Sequence, residues 1–185
     1  ASNPNTAATQ SVQVVDTLAP TVVITDDESG VANIAGGDVT YTFTFSAAVT
    51  GFVVGDVTVA GGTPAADFAT GSAGSSVYTL VVTPDADFAG DLTVDVNATV
   101  AIDAASNPNT AATQSVQVVD TLAPTVVITD DESGVANIAG GDVTYTFTFS
   151  AAVTGFVVGD VTVAGGTPAA DFATGSAGSS VYTLV

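Results

Sequence analysis

Two runs of three acids carry the most reactive chemistry in this chain. The stretch "ITDDESG" occurs at 24–30 and again at 128–134, placing Asp26, Asp27 and Glu28, then Asp130, Asp131 and Glu132, side by side. Carboxylates this close repel one another. At roughly 5 Å in water each pair costs about 0.8 kcal/mol, and more where water is excluded. A nearby lysine or arginine is the usual remedy, but 19 acids stand here against no Lys, no Arg and no His. A hard divalent cation would reverse the sign of the interaction. Calcium takes about six to eight oxygens from carboxylates, Asn side chains and backbone carbonyls. A second acidic segment, "TPDADFAGD" (83–91), supplies Asp85, Asp87 and Asp91 with a glycine for the turn. It is only loosely like an EF-hand loop, whose length and terminal glutamate it lacks. A third, "IDAASNPNT" (102–110), supplies Asp103, Asn107 and Asn109, and the single acids Asp16 and Asp120 close the two copies of "SVQVVD". These positions are the candidate ligands, and Ca2+ is the candidate cofactor.

Each has a plainer reading. "DDESG" reads equally as a solvated acidic turn, and Asp103, Asn107 and Asn109 as ordinary turn chemistry. Asp56 and Asp67 read as surface solubility charges, and Asp95 as a solvated outward position on a strand. Other chemistries are poorly supplied. Without Lys or Arg there is nothing to meet phosphate, so neither nucleic acid nor an anionic membrane surface is an expected partner. Without Cys there are no disulfides, thiolate nucleophiles or Cys-type zinc sites, and without His no imidazole catalysis. A carboxylate pair acting on sugars would want an aromatic cleft, and the chain has no Trp and four Tyr. No enzyme activity is expected. No run approaches 18 apolar residues, so no membrane-inserted segment is expected.

The framework that carries these acids is built on a repeat. "ASNPNTAATQSVQVVDTLAPTVV" begins at Ala1 and again at Ala105, and 105–185 reproduce 1–81 without change, a period of 104 residues. A period this long means one domain per repeat in tandem. The expected organisation is the end of a preceding repeat at 1–16, one complete repeat at 17–120 and the beginning of the next at 121–185. In "DVTYTFTFS", Val39, Tyr41, Phe43 and Phe45 fall on one side, with Thr40, Thr42, Thr44 and Ser46 on the other. In "DLTVDVNATVAID", Leu92, Val94, Val96, Ala98, Val100 and Ile102 share a face. A period of two marks half-buried antiparallel strands. Further strands are expected at 21–25, 55–61, about 66–70, 76–83 and 113–120. Seven short strands in about 100 residues predict an all-β fold, an immunoglobulin-like antiparallel sandwich. In that topology the 26–38 and 83–91 loops and Asp120 gather at one pole, next to "DTLAP". Asp103, Asn107 and Asn109 lie at the other pole, beside the preceding copy's Asp16.

The ordered motifs "VDTLAPTVVITDD", "TFTFSAAVTGFVVGDVTVAGG", "VYTLVVTPDADFAGDLTVDV" and "DAASNPNTAA" closely resemble the bacterial Ig-like repeats of giant RTX-type adhesins, over the whole chain. The period and the identity of the copies look most like the extender region of a bacterial ice-binding adhesin. The resemblance implies a secreted, cell-surface rod of repeats, stiffened by calcium at its joints, that projects a ligand-binding domain elsewhere in the protein. Its partners would be neighbouring identical repeats. The alternative, from another class, is an adhesive or homophilic module that itself contacts a partner. Such a module should expose an apolar or aromatic patch.

Overall fold

The computed structural model describes residues 1–136 and 139–185. It divides into two units, Ala1–Leu122 and Ala123–Val185. In the first, residues 1–21 have no regular structure and eight strands come after them: β1 (Val22–Asp26), β2 (Ala32–Asn33), β3 (Val39–Val49), β4 (Val57–Ala60), β5 (Gly62–Pro64), β6 (Ser75–Pro84), β7 (Ala89–Val96) and β8 (Ser115–Asp120). They form two four-stranded sheets, ordered β1-β3-β6-β5 and β2-β8-β7-β4. All pairings are antiparallel except β2 with β8. The 26–38 loop therefore starts on the edge of one sheet and contributes β2 to the edge of the other.

The alternation in β3 sets the inner face. Val39, Tyr41 and Phe43 are fully buried, while the threonines between them face outward. Phe45, Phe52, Phe68 and Tyr78 pack beside them, with Phe45–Phe52 and Phe52–Phe68 ring centroids both 5.0 Å apart. Leu92, Val94 and Val96 of β7 close the core from the second sheet. Burying each such side chain is worth about 1.5–3 kcal/mol. Gly71 is required by this packing: it has φ +101°, and a Cβ there would lie 2.4 Å from the Tyr78 ring.

Two expected strands are corrected. The expected strand over 66–70 is instead the short β5 at Gly62–Pro64 and a single bridge from Thr70 to Thr79. The strand expected to run to Ile102 stops at Val96. Thr99 takes a left-handed φ of 67° there, and Asn109 captures the amides of Val100 and Ala101, so Ile102 is turned outward and 41% exposed.

The second unit holds β9 (Val126–Asp130), β10 (Tyr145–Val153) and β11 (Ser179–Leu184) in one sheet, ordered β11-β10-β9. Its register repeats the first, with Tyr145 opposite Asp130 as Tyr41 is opposite Asp26. The sequence given ends at Val185, before any counterpart of β7 and β8. The inner face is accordingly open: Tyr145 is 39% exposed where Tyr41 is 0%, and Val126 is 46% where Val22 is 6%. No helix among the described residues is long and apolar enough to cross a membrane.

Candidate metal centre

Strand register places the acids of the first unit at two poles. At one, β1 ends at Asp26, directly across from Tyr41. Asp120 ends β8, paired with Ala89 on one side and Asn33 on the other. The 85–88 loop is joined to the same end. Thr121, itself buried, donates its hydroxyl to the Asp85 carbonyl at 2.6 Å and accepts the Phe88 amide at 3.0 Å. Asp26, Asp27, Glu28, Asp85, Asp87 and Asp120 thus share one end, with Asp91 two residues into β7.

Within that end the carboxylates are dispersed, several of them in local turns. Asp26 continues the inward parity of Val22 and Ile24, is half-buried, and accepts the Glu28 amide at 3.1 Å. Asp27 accepts the Thr40 amide at 2.7 Å, which ties the loop's exit to its entry. Glu28 is half-buried beside Gly36. Asp87 has a left-handed φ of 52°, the tight turn that leads into β7. Asp91 and Asp120 are exposed on the outer face of the second sheet. Asp120 accepts the Leu122 amide at 3.1 Å, and Asp16 accepts that of Leu18 at 3.0 Å, the same turn in both copies. Among the described residues no three acidic side chains already form a group that could hold a metal ion.

The opposite pole is more tightly bonded. Asp103 is buried, and its Oδ1 accepts the amides of Ala105 and Asn107 at 2.8 and 2.9 Å. Asn107 Nδ2 donates to Asp103 Oδ2 at 3.0 Å and to the Asp16 carbonyl at 3.3 Å, so the segment ahead of the repeat touches this loop. The Asn107 side-chain and backbone hydrogen bonds hold the Asp103 carboxyl below its ordinary range. Asn109 is almost wholly buried. Its Oδ1 already accepts two amides, and its Nδ2 donates to the carbonyls of Asn97 and Thr110.

In the second unit Asp130 accepts the Glu132 amide at 3.0 Å and Asp131 that of Thr144 at 2.8 Å, repeating Asp26 and Asp27. The Thr144 amide lowers the Asp131 pKa. Asp56 and Asp160 close short 3-10 turns by accepting the amides of Val53 and Val157, a structural duty beyond solubility. Asp95 accepts from Gln114 at 2.7 Å rather than standing in solvent alone.

Three residues outside the acidic segments shape the first pole. Thr121 ties the 85–88 loop to the end of β8. Gln117 is buried and donates to the Gly30 carbonyl, anchoring the "DDESG" loop. In "SVQVVD" the parity of Val116 and Val118 is the more apolar one, so the sequence alone points Gln117 outward, whereas it is Gln117 and Val119 that are buried. Tyr41 is the third. Its hydroxyl is buried without a hydrogen-bond partner among the described residues. Burial, and then Asp26 and Asp27, push its pKa well above the ordinary phenol range. Leaving such a group unpaired costs about 1–3 kcal/mol. An orphaned buried donor facing carboxylates fits a site that takes up a hydrated cation.

A family model described as "Bacterial Ig-like domain" matches residues 16–119 and 120–184. The chain belongs to the bacterial Ig-like domain family. Two tandem Ig-like domains in an all-β arrangement account for the repeat and for the two units. Bacterial Ig-like domains are typically non-catalytic structural modules, common in extracellular and surface proteins. No curated protein and no solved structure matches the chain.

Proposed function

We propose that these Ig-like repeats form part of the calcium-stabilised extender of a bacterial cell-surface adhesin, akin to that of an ice-binding adhesin. The repeats act as spacers that hold a distal ligand-binding domain away from the cell. The observation that carries this reading is the gathering of Asp26, Asp27, Glu28, Asp85, Asp87 and Asp120 at one end of a repeat, in a chain without one basic side chain. With these carboxylates unmatched, the end of each repeat repels any other anionic surface. Asp26, Asp27, Asp85 and Asp120, with loop carbonyls, would hold the ion. The Asp16–Asn107–Asp103 linkage supports a role for the opposite pole in receiving the preceding segment. A bound cation supplies the missing positive charge and joins loops that hydrogen bonds leave separate.

Calcium that binds only the folded state adds RT ln(1 + [Ca]/Kd), about 2.7 kcal/mol at a hundredfold excess over Kd. Extracellular modules often bind at roughly 10⁻⁴ to 10⁻³ M. The test is the melting temperature of the chain in millimolar calcium and in chelator at matched ionic strength. A rise in calcium that sodium does not reproduce is expected. Equal melting temperatures would end the proposal.

A further inference from the structure

Tyr41 and Tyr78 share one core, and their hydroxyls are treated differently. Tyr78 reaches the Ser72 carbonyl at 2.8 Å and that of Val49 at 3.2 Å. Tyr41 is 0% exposed and its hydroxyl meets no partner. Its position is not an arbitrary one in the core. Tyr41 lies opposite Asp26 in the β1–β3 register, and both side chains are on the inward face of the sheet. Among the described residues the Asp26 carboxylate accepts one hydrogen bond, on Oδ1 from the Glu28 amide. A buried phenol and a half-buried carboxylate thus adjoin on adjacent strands with no hydrogen bond between them. Calcium commonly retains waters among its ligands, and a water can bridge two polar groups that do not touch.

We propose that Tyr41 is the buried positioning residue of the cation site at this pole, its hydroxyl oxygen accepting from a water of the ion's shell beside Asp26. This rests on the calcium reading above and extends it to a residue that no acidic motif contains. The hydroxyl orders the inner side of the site, where the exposed Asp27 and Asp120 do not reach, and the ion's water gives the orphaned hydroxyl its partner.

Tyr41→Phe removes the hydroxyl and keeps the ring. The experiment compares the full 185-residue chain with this variant by calorimetric calcium titration and by melting in chelator. Without calcium, the Phe variant should melt at or above the wild-type temperature, because it loses an unpaired buried donor. With calcium, its affinity at the first-unit site should be about tenfold weaker, the loss of one hydrogen bond to a charged assembly. A purely packing role for the ring predicts the same behaviour in chelator but no change in calcium affinity, so the affinity decides. Unchanged calcium affinity in the variant, with normal binding by the wild type, overturns the inference and leaves the calcium reading standing. A Phe variant that melts lower in chelator overturns it too, since the hydroxyl would then already have a partner such as a trapped water. If the wild-type chain binds no calcium at all, the reading beneath the inference fails first.

Discussion

At the scale of single residues, the acids divide by what their oxygens already do. Asp103 accepts two amides and a side-chain NH2, which stabilise its ionised form and hold its pKa down. A carboxyl whose folded pKa is depressed contributes stability that is full above the unfolded value and is lost as pH falls through the folded one. Asp103→Asn should therefore melt below the wild type at neutral pH, and the gap should close below about pH 4. A gap independent of pH would assign the effect to shape rather than charge. Asn109 is held at four points in a buried setting, so Asn109→Ala should cost about 3 kcal/mol or more, measured by denaturant unfolding. A loss under about 1 kcal/mol would mean that water replaces the side chain.

At the scale of elements, loops are fastened to strands by side chains that no motif announces. Thr121 links the end of β8 to the 85–88 loop through its hydroxyl, which accepts the Phe88 amide and donates to the Asp85 and Phe88 carbonyls, and through its own amide, which donates to the Phe88 carbonyl. Thr121→Val keeps the volume and removes the hydroxyl's bonds, so about 1–3 kcal/mol should be lost, with faster amide exchange at Phe88. Unchanged protection at Phe88 would show that the backbone bond from Thr121 holds the loop without the hydroxyl. Gly71→Ala tests the aromatic core from the other side. The added carbon would fall 2.4 Å from the Tyr78 ring at a φ of +101°, so a loss of about 3 kcal/mol or more is expected on thermal unfolding. The alternation in β3 predicted its buried face residue by residue. The end of β7 was not readable in the same way. Apolar residues continue in phase to Ile102, and the break comes from the left-handed Thr99 and from Asn109 on a later segment.

At the scale of the whole chain, one sequence occurs in two settings. Val22, Tyr41 and Phe45 are buried under β7 and β8, whereas their copies Val126, Tyr145 and Phe149 belong to a three-stranded sheet that no second sheet covers among the described residues. An open apolar face loses most of the burial that offsets chain entropy. Brief thermolysin treatment should therefore trim the exposed, irregular segment ahead of Pro20 and cut beyond Leu122, leaving a resistant fragment close to residues 19–122. Cleavage at equal rates in both units would show that the three-stranded sheet is stable alone.

Whatever depends on local pattern was legible from the residues in order. Period-two alternation settles strand type and the inner faces of β3 and β7, exact repetition at 104 residues settles tandem domains, and 19 acids without a base pose the charge problem. Whatever depends on long-range register had to wait for the folded chain. Folding brings Asp26, Asp85 and Asp120 to one end through pairings between strands distant in the chain, yet leaves their carboxylates apart. It commits the Asn109 amide to four backbone partners and turns Gln117 inward. It leaves the Tyr41 hydroxyl buried and unpaired. Parity along a strand says which way a side chain points, but only the opposing sheet determines what its polar atom meets there.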